Sequence, residues 1–166
     1  HSVIDKLIEH EHIIADKGFM QEVNAMKKVL PEIPIQQING STALAPGYNL
    51  GERTNIEKPE LYAVFPYRVY GLGKEKVESA ILSFNSNVKD QFSGWQQDAI
   101  FAAYLGLTDD AKRMVTHNFT TKHARSRFPA FWGPNYDWVP DQDHGTVNMR
   151  ALQNMLVQSE NDRVLL

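Results

Sequence analysis

Residues 94–107 read GWQQDAIFAAYLGL. From Ala99 onward the run is apolar nearly all round, whereas a helix lying on a protein surface keeps a polar face. A helix spanning about 94–106 is therefore expected to be covered on several sides. The polar residues at its start, Ser93, Gln96, Gln97 and Asp98 beside Trp95, must then face a pocket or be hydrogen-bonded, because burial without a partner is costly.

The segments around it carry amphipathic stripes. Thr108 is placed to cap the next helix, with Asp109 and Asp110 where a helix start favours negative charge. Ala111, Met114, Val115 and Phe119 would supply its inner face. Upstream, Val77, Ala80, Ile81, Phe84 and Val88 keep helical spacing, as do Val147, Ala151, Leu152, Met155 and Leu156 downstream. At the start of the chain Ile4, Leu7, Ile8, Ile14 and Ala15 share a face, and Gly18 is placed to end that helix. Phe19, Val23, Met26 and Leu30 form a second helix, stopped by Pro31, so the two read as a helical hairpin. In PELYAVFPYRVYG, residues 59–71, Pro59 suits a first helical turn and Pro66 must break or kink it.

Residues 31–59 lose this pattern, with at most a short strand at Ile35–Ile38. A connection of that length reads as a functional loop. Strand alternation is not convincing elsewhere. The expectation is an all-α fold of helical hairpins with long irregular loops, in one domain spanning 1–166. A helix covered on all sides favours a ring of inner and outer helices over a simple bundle.

Composition narrows the function. The net charge is −3, without a basic block, so neither nucleic acid nor an anionic membrane surface is an expected partner. No apolar run approaches the ~20 residues of a membrane span. The absence of cysteine excludes disulfides, thiolate metal sites and cysteine nucleophiles. No nucleophile elbow, Walker loop or GxGxxG occurs, and no cofactor is expected. Asp141-Gln-Asp143-His-Gly145 misses the calcium-loop register, because the third ligand position falls on Gly145. His10-Glu-His12 lacks the i, i+4 pair of helical zinc sites. No metal is expected.

Two irregular stretches concentrate the candidate residues. FWGPNYDWVPDQDHG, residues 131–145, holds two of the three tryptophans together with Asp137, Asp141 and Asp143. Its Gly133, Pro134, Pro140 and Gly145 are expected to keep it out of regular structure. Aromatic faces beside carboxylates suit a ligand with apolar faces and many hydroxyls, as sugars have. GERTNIEKPELY, residues 51–62, adds Glu52, Glu57 and Glu60. If both loops open onto one pocket, they meet the first requirement of glycoside hydrolysis, a proton donor facing a base or nucleophile. GWQQD would be a third wall.

Three segments, in the same order, resemble the C-terminal part of the catalytic domain of family 95 glycoside hydrolases, the α-L-fucosidase group. PELYAVFPYRVYG is similar to the family's SHLYALYPG. GWQQDAIFAAYLGLTDDAKRMV is similar to GWSLAWKINLWARLGDGERAY, and DQDHG through ALQNMLVQS to FQIDGNFG…IAEMLLQS. The resemblance covers roughly residues 40–166. It implies six helical hairpins closed into an (α/α)6 toroid, of which this chain would be the C-terminal half. It implies inverting hydrolysis of a glycosidic bond in a plant or host polysaccharide or oligosaccharide. It also implies a periplasmic or extracellular location in a bacterium.

Counting back from MLVQS puts Asp143 at the family's essential aspartate. The general-acid glutamate would lie upstream of residue 1, so the preceding part of the protein is an expected partner. The catalytic candidates are thus Asp143, Asp141 and Glu57. Trp132, Tyr136, Asp137, Trp138, Trp95, Gln96, His144 and Glu60 are candidates for binding substrate. The alternatives are a non-catalytic carbohydrate-binding module on the same aromatic platform and a helical scaffold.

Overall fold

A computed structural model of the protein describes residues 1–53, 55–87, 94–121, 143–160 and 163–165, with backbone alone at His144 and Glu160. These residues are mostly helical: six α-helices, two 3₁₀ turns and two small antiparallel hairpins. The all-α expectation holds in its coarse form, and the strands are additions to it.

The core is built around the segment that the apolar run marked. Helix α4, Asp98–Tyr104, is shorter than the expected 94–106, and all seven of its residues are buried. Residues 94–97 instead form a turn and an irregular lead-in, with Gly94 at φ +70°, a left-handed value that suits glycine. Phe101 is only 2% exposed. A short turn then reverses the chain into α5, Thr108–Thr120. Its Gly106 is at φ +74°, and a side chain there would meet Leu72 Cδ1 at 3.0 Å.

Thr108 does not cap α5. Leu107 precedes the helix and Thr108 is its first residue, with its hydroxyl turned back toward the Gly106 carbonyl at 3.5 Å. The negative charge at the helix start is as expected, from Asp109 and Asp110. The inner face is Ala111, Met114, Val115 and, unexpectedly, Asn118, with Phe119 partly buried.

Helix α6, Asp143–Leu156, packs on both α4 and α5. Gln158, just beyond its end, donates to Ala103 O near the end of α4 at 2.8 Å, while Asn148 donates to Val115 O at 3.2 Å. Helix α6 therefore runs with α4 and against α5. Residues 143–145 were expected to be irregular, but Asp143 opens this helix and Gly145 lies in its first turn. Its core side is Asn148, Ala151 and Asn154, flanked by Val147 and Met155, whereas Leu152 and Leu156 stay exposed at 38% and 66%. Asn148 can stand in place of an aliphatic on that face because its amide reaches the Val115 carbonyl of α5.

The expected loop at 31–59 contains the first hairpin, β1 (Ile35–Ile38) and β2 (Ser41–Leu44), in register Ile35↔Leu44. Its tip is Asn39-Gly40, both at positive φ (51° and 79°), the two-residue turn whose twist matches paired strands. Helix α3, Val77–Ser86, packs on β2. The Ser83 hydroxyl accepts from Leu44 N at 2.7 Å, so a helix side chain satisfies the inner end of the strand. Ala80 and Phe84 are buried as the stripe foretold, and Val88 lies outside the described residues.

Helices α1 (Ser2–Glu9) and α2 (Lys17–Val29) form the expected hairpin around a small separate cluster of Ile4, Met20 and Val23. Gly18 does not end the first helix. It sits in the first turn of α2, where Asp16 accepts from Phe19 N at 2.9 Å as the cap. The buried face is thereby rotated: Phe19 and Met26 are 44% and 53% exposed. A second hairpin, β3 (Gln158–Glu160) with β4 (Arg163–Leu165), follows α6.

Candidate functional site

The first wall of the site comes from residues 53–62. Asn55 Oδ1 accepts from Glu57 N at 2.9 Å, a local turn of the kind asparagine forms with its own backbone. Pro59 then opens a 3₁₀ turn, Pro59–Ala63, as its fixed φ favours. This sharp path leaves Glu57 exposed at the rim and directs Lys58 and Glu60 inward. Glu60, 5% exposed, is held by Arg53 through Nη2–Oε1 at 2.6 Å, and Arg53 also donates to Glu57 O.

The second wall is the lead-in to α4. Gly94 and Gln96 are buried, with Trp95 half-buried between them. Asp98 opens α4 and forms an ion pair with Lys58, which joins the two walls. Between them runs a small cleft, with Glu57, Lys58 and Tyr62 on one side and Trp95, Gln96 and Asp98 on the other. The cleft is half-open, and the space in it that a water-sized sphere can occupy is about 30 Å³. That admits a hydroxyl group or a water molecule, and a sugar ring would have to present an edge.

The electrostatics follow from burial. Burial pushes the Asp98 carboxyl above the ordinary aspartate range; Lys58 pulls it back, and Glu60 adds to the rise. The Tyr62 hydroxyl is raised by its own burial and then by Glu57, whose Oε2 it approaches at 3.4 Å. The Oε1 atoms of Gln96 and Gln97 and Oε2 of Glu60 are shielded from solvent and accept no hydrogen bond from the described residues. Acceptors thus gather in and behind a cleft flanked by two aromatic rings. Such a lining can take hydroxyl donors and stack a ring face.

Of the sequence candidates, Glu57, Trp95 and Gln96 meet in this cleft, and Glu60 stands behind it. Asp143 is exposed and does not line the cleft. It opens α6. Trp132, Tyr136, Asp137, Trp138 and Asp141 lie outside the described residues, and so does the side chain of His144. The expectation that the 131–145 stretch closes the pocket falls there too. His10 and His12 are exposed, as their spacing implied, with ring centroids 6.2 Å apart. Among the described residues no group of three or more His, Cys, Asp or Glu could hold a metal ion.

Compared with protein-family models, curated proteins and solved structures, the chain matches none. The site's chemistry therefore rests on its own residues.

Sequence reasoning placed Asp98 in a candidate wall of the pocket but missed Lys58, its partner. The signal was present: a carboxylate at the start of a helix buried on every side needs a partner cation.

Proposed function

We propose that the protein is a carbohydrate-active enzyme, the C-terminal part of an inverting glycoside hydrolase with a toroid of helical hairpins, and that saccharide binds at the cleft between residues 57–62 and 95–98. One observation supports this best. Two stretches picked out separately for their carboxylates and aromatics, GERTNIEKPELY and GWQQD, share one cleft, with Glu57 and Tyr62 across from Trp95 and Gln96.

In this reading Trp95 and Tyr62 offer ring faces to a pyranose, while the amides and carboxylates bond its hydroxyls. Hydrolysis with inversion needs one carboxyl to protonate the leaving oxygen and another to activate water, about 6.5–9.5 Å apart. Asp143 is the water-activating candidate carried by the family resemblance, and Glu57 is the carboxylate already at the cleft rim. The helical core and the near-total burial of α4 are what an inner helix of such a ring requires.

The test uses the protein expressed with the reading frame that precedes His1. It is incubated with soluble xyloglucan, arabinogalactan and galactan oligosaccharides. Reducing-end release and the anomer first formed, followed by proton NMR, report hydrolysis. Asp143→Asn and Glu57→Gln should lower turnover by roughly 10²–10⁴ while binding persists. Trp95→Ala should weaken binding. Absence of both binding and release across the panel refutes the proposal. Binding without release identifies a non-catalytic module.

A further inference from the structure

We infer that Lys58 and Asp98 are specificity-determining residues, a charge-neutral floor that reads two adjacent hydroxyls of an uncharged saccharide; the inference rests on the carbohydrate reading above. Both residues line the cleft, and they are 5% and 4% exposed. A buried ion pair contributes little to stability, because desolvation offsets the attraction, so its position lining a cleft points to recognition.

The bonding capacity fits. The pair engages Asp98 Oδ1 and one of the three ammonium protons of Lys58. No other side chain among the described residues bonds that ammonium. The carboxylate can accept from one hydroxyl while the ammonium donates to the oxygen of its neighbour. A vicinal diol presents this alternation, and its edge suits a half-open cleft with about 30 Å³ of space for a water-sized sphere, with the ring left against Trp95 or Tyr62. A sugar carboxylate would meet Glu57 at the rim, whereas Glu60 behind it is already paired with Arg53, and Lys58, the only cation lining the cleft among the described residues, is already paired with Asp98. The floor therefore selects neutral units over uronates.

The experiment measures affinity by tryptophan fluorescence and calorimetry, with neutral galactan oligosaccharides and oligogalacturonates of equal length as probes. The wild-type protein should bind the neutral chains at least roughly tenfold more tightly. The double variant Lys58→Met/Asp98→Leu should keep its circular dichroism spectrum while losing roughly tenfold in affinity for the neutral chain. Lys58→Arg, which preserves charge but not ammonium geometry, should narrow the preference for neutral over acidic chains.

Equal or tighter binding of the uronate overturns this inference and leaves the carbohydrate reading standing. So does a folded double variant with wild-type affinity. Should the double variant fail to fold, unchanged affinities in Lys58→Arg overturn it. Failure of the wild-type protein to bind any saccharide overturns the carbohydrate reading itself, and this inference with it.

Discussion

The Lys58–Asp98 pair makes a sharp stability prediction through a double-mutant cycle. Its side chains are 4% and 6% exposed, so the pair belongs to the buried regime and not to the surface regime of about 0–1 kcal/mol. Lys58→Met strands a buried carboxylate, and Asp98→Leu strands a buried ammonium. Each single change should cost about 3–5 kcal/mol, whereas the double change should be neutral or stabilising, since apolar side chains of similar volume need no desolvated charge. At about 2–4 °C per kcal/mol for a chain of this size, each single variant should melt roughly 6–20 °C lower.

The pH dependence has a definite sign. Burial raises the Asp98 carboxyl, so the folded protein holds a proton there that the unfolded chain releases at lower pH. The associated stability is complete below the ordinary aspartate value and is lost as pH rises through the raised one. Removing the cation in Lys58→Met should raise the Asp98 carboxyl further and deepen that loss as pH rises above the ordinary aspartate value. Thermal denaturation followed by circular dichroism at several pH values measures both effects. Single variants within about 1 kcal/mol of wild type, or a coupling near zero, would refute the buried-pair reasoning.

Two further outcomes follow from the fold. Ser83→Ala leaves Leu44 N–H buried without its 2.7 Å acceptor and should cost about 1–3 kcal/mol; hydrogen exchange at Leu44 should quicken, and an unchanged rate would refute the link between α3 and β2. Gly40→Ala places a side chain at φ +79° with no neighbour within 4 Å, so only backbone strain is added: about 1–2 kcal/mol by chemical denaturation, with no loss if the turn is otherwise built.

Much of the helical core was legible because burial leaves a periodic trace. Ala80 with Phe84, Ala111 with Met114 and Val115, and Ala151 all lie where the spacing put them. Boundaries were less legible. Gly18 could end one helix or enter the next, and the choice fell to Asp16, whose carboxylate caps α2. Thr108 had the chemistry of a cap, but the turn from α4 already delivers the backbone of Leu107 into that position. The Asn39-Gly40 turn was a readable hairpin signal, overlooked because β1 and β2 are largely exposed and show no alternation.

The sequence by itself determined that α4 would be buried on every side, and that its polar lead-in would need partners. It also determined that residues 51–62 would be an irregular, acid-rich connection. Which partners those are was decided only by tertiary structure. Lys58 and Asp98 are 40 positions apart, and nothing local brings them together. Their pairing depends on residues 57–62 coming to lie across one cleft from residues 95–98, a non-local packing event. A pattern of residue types records that a charge will be buried; only the packed chain specifies what stands opposite it.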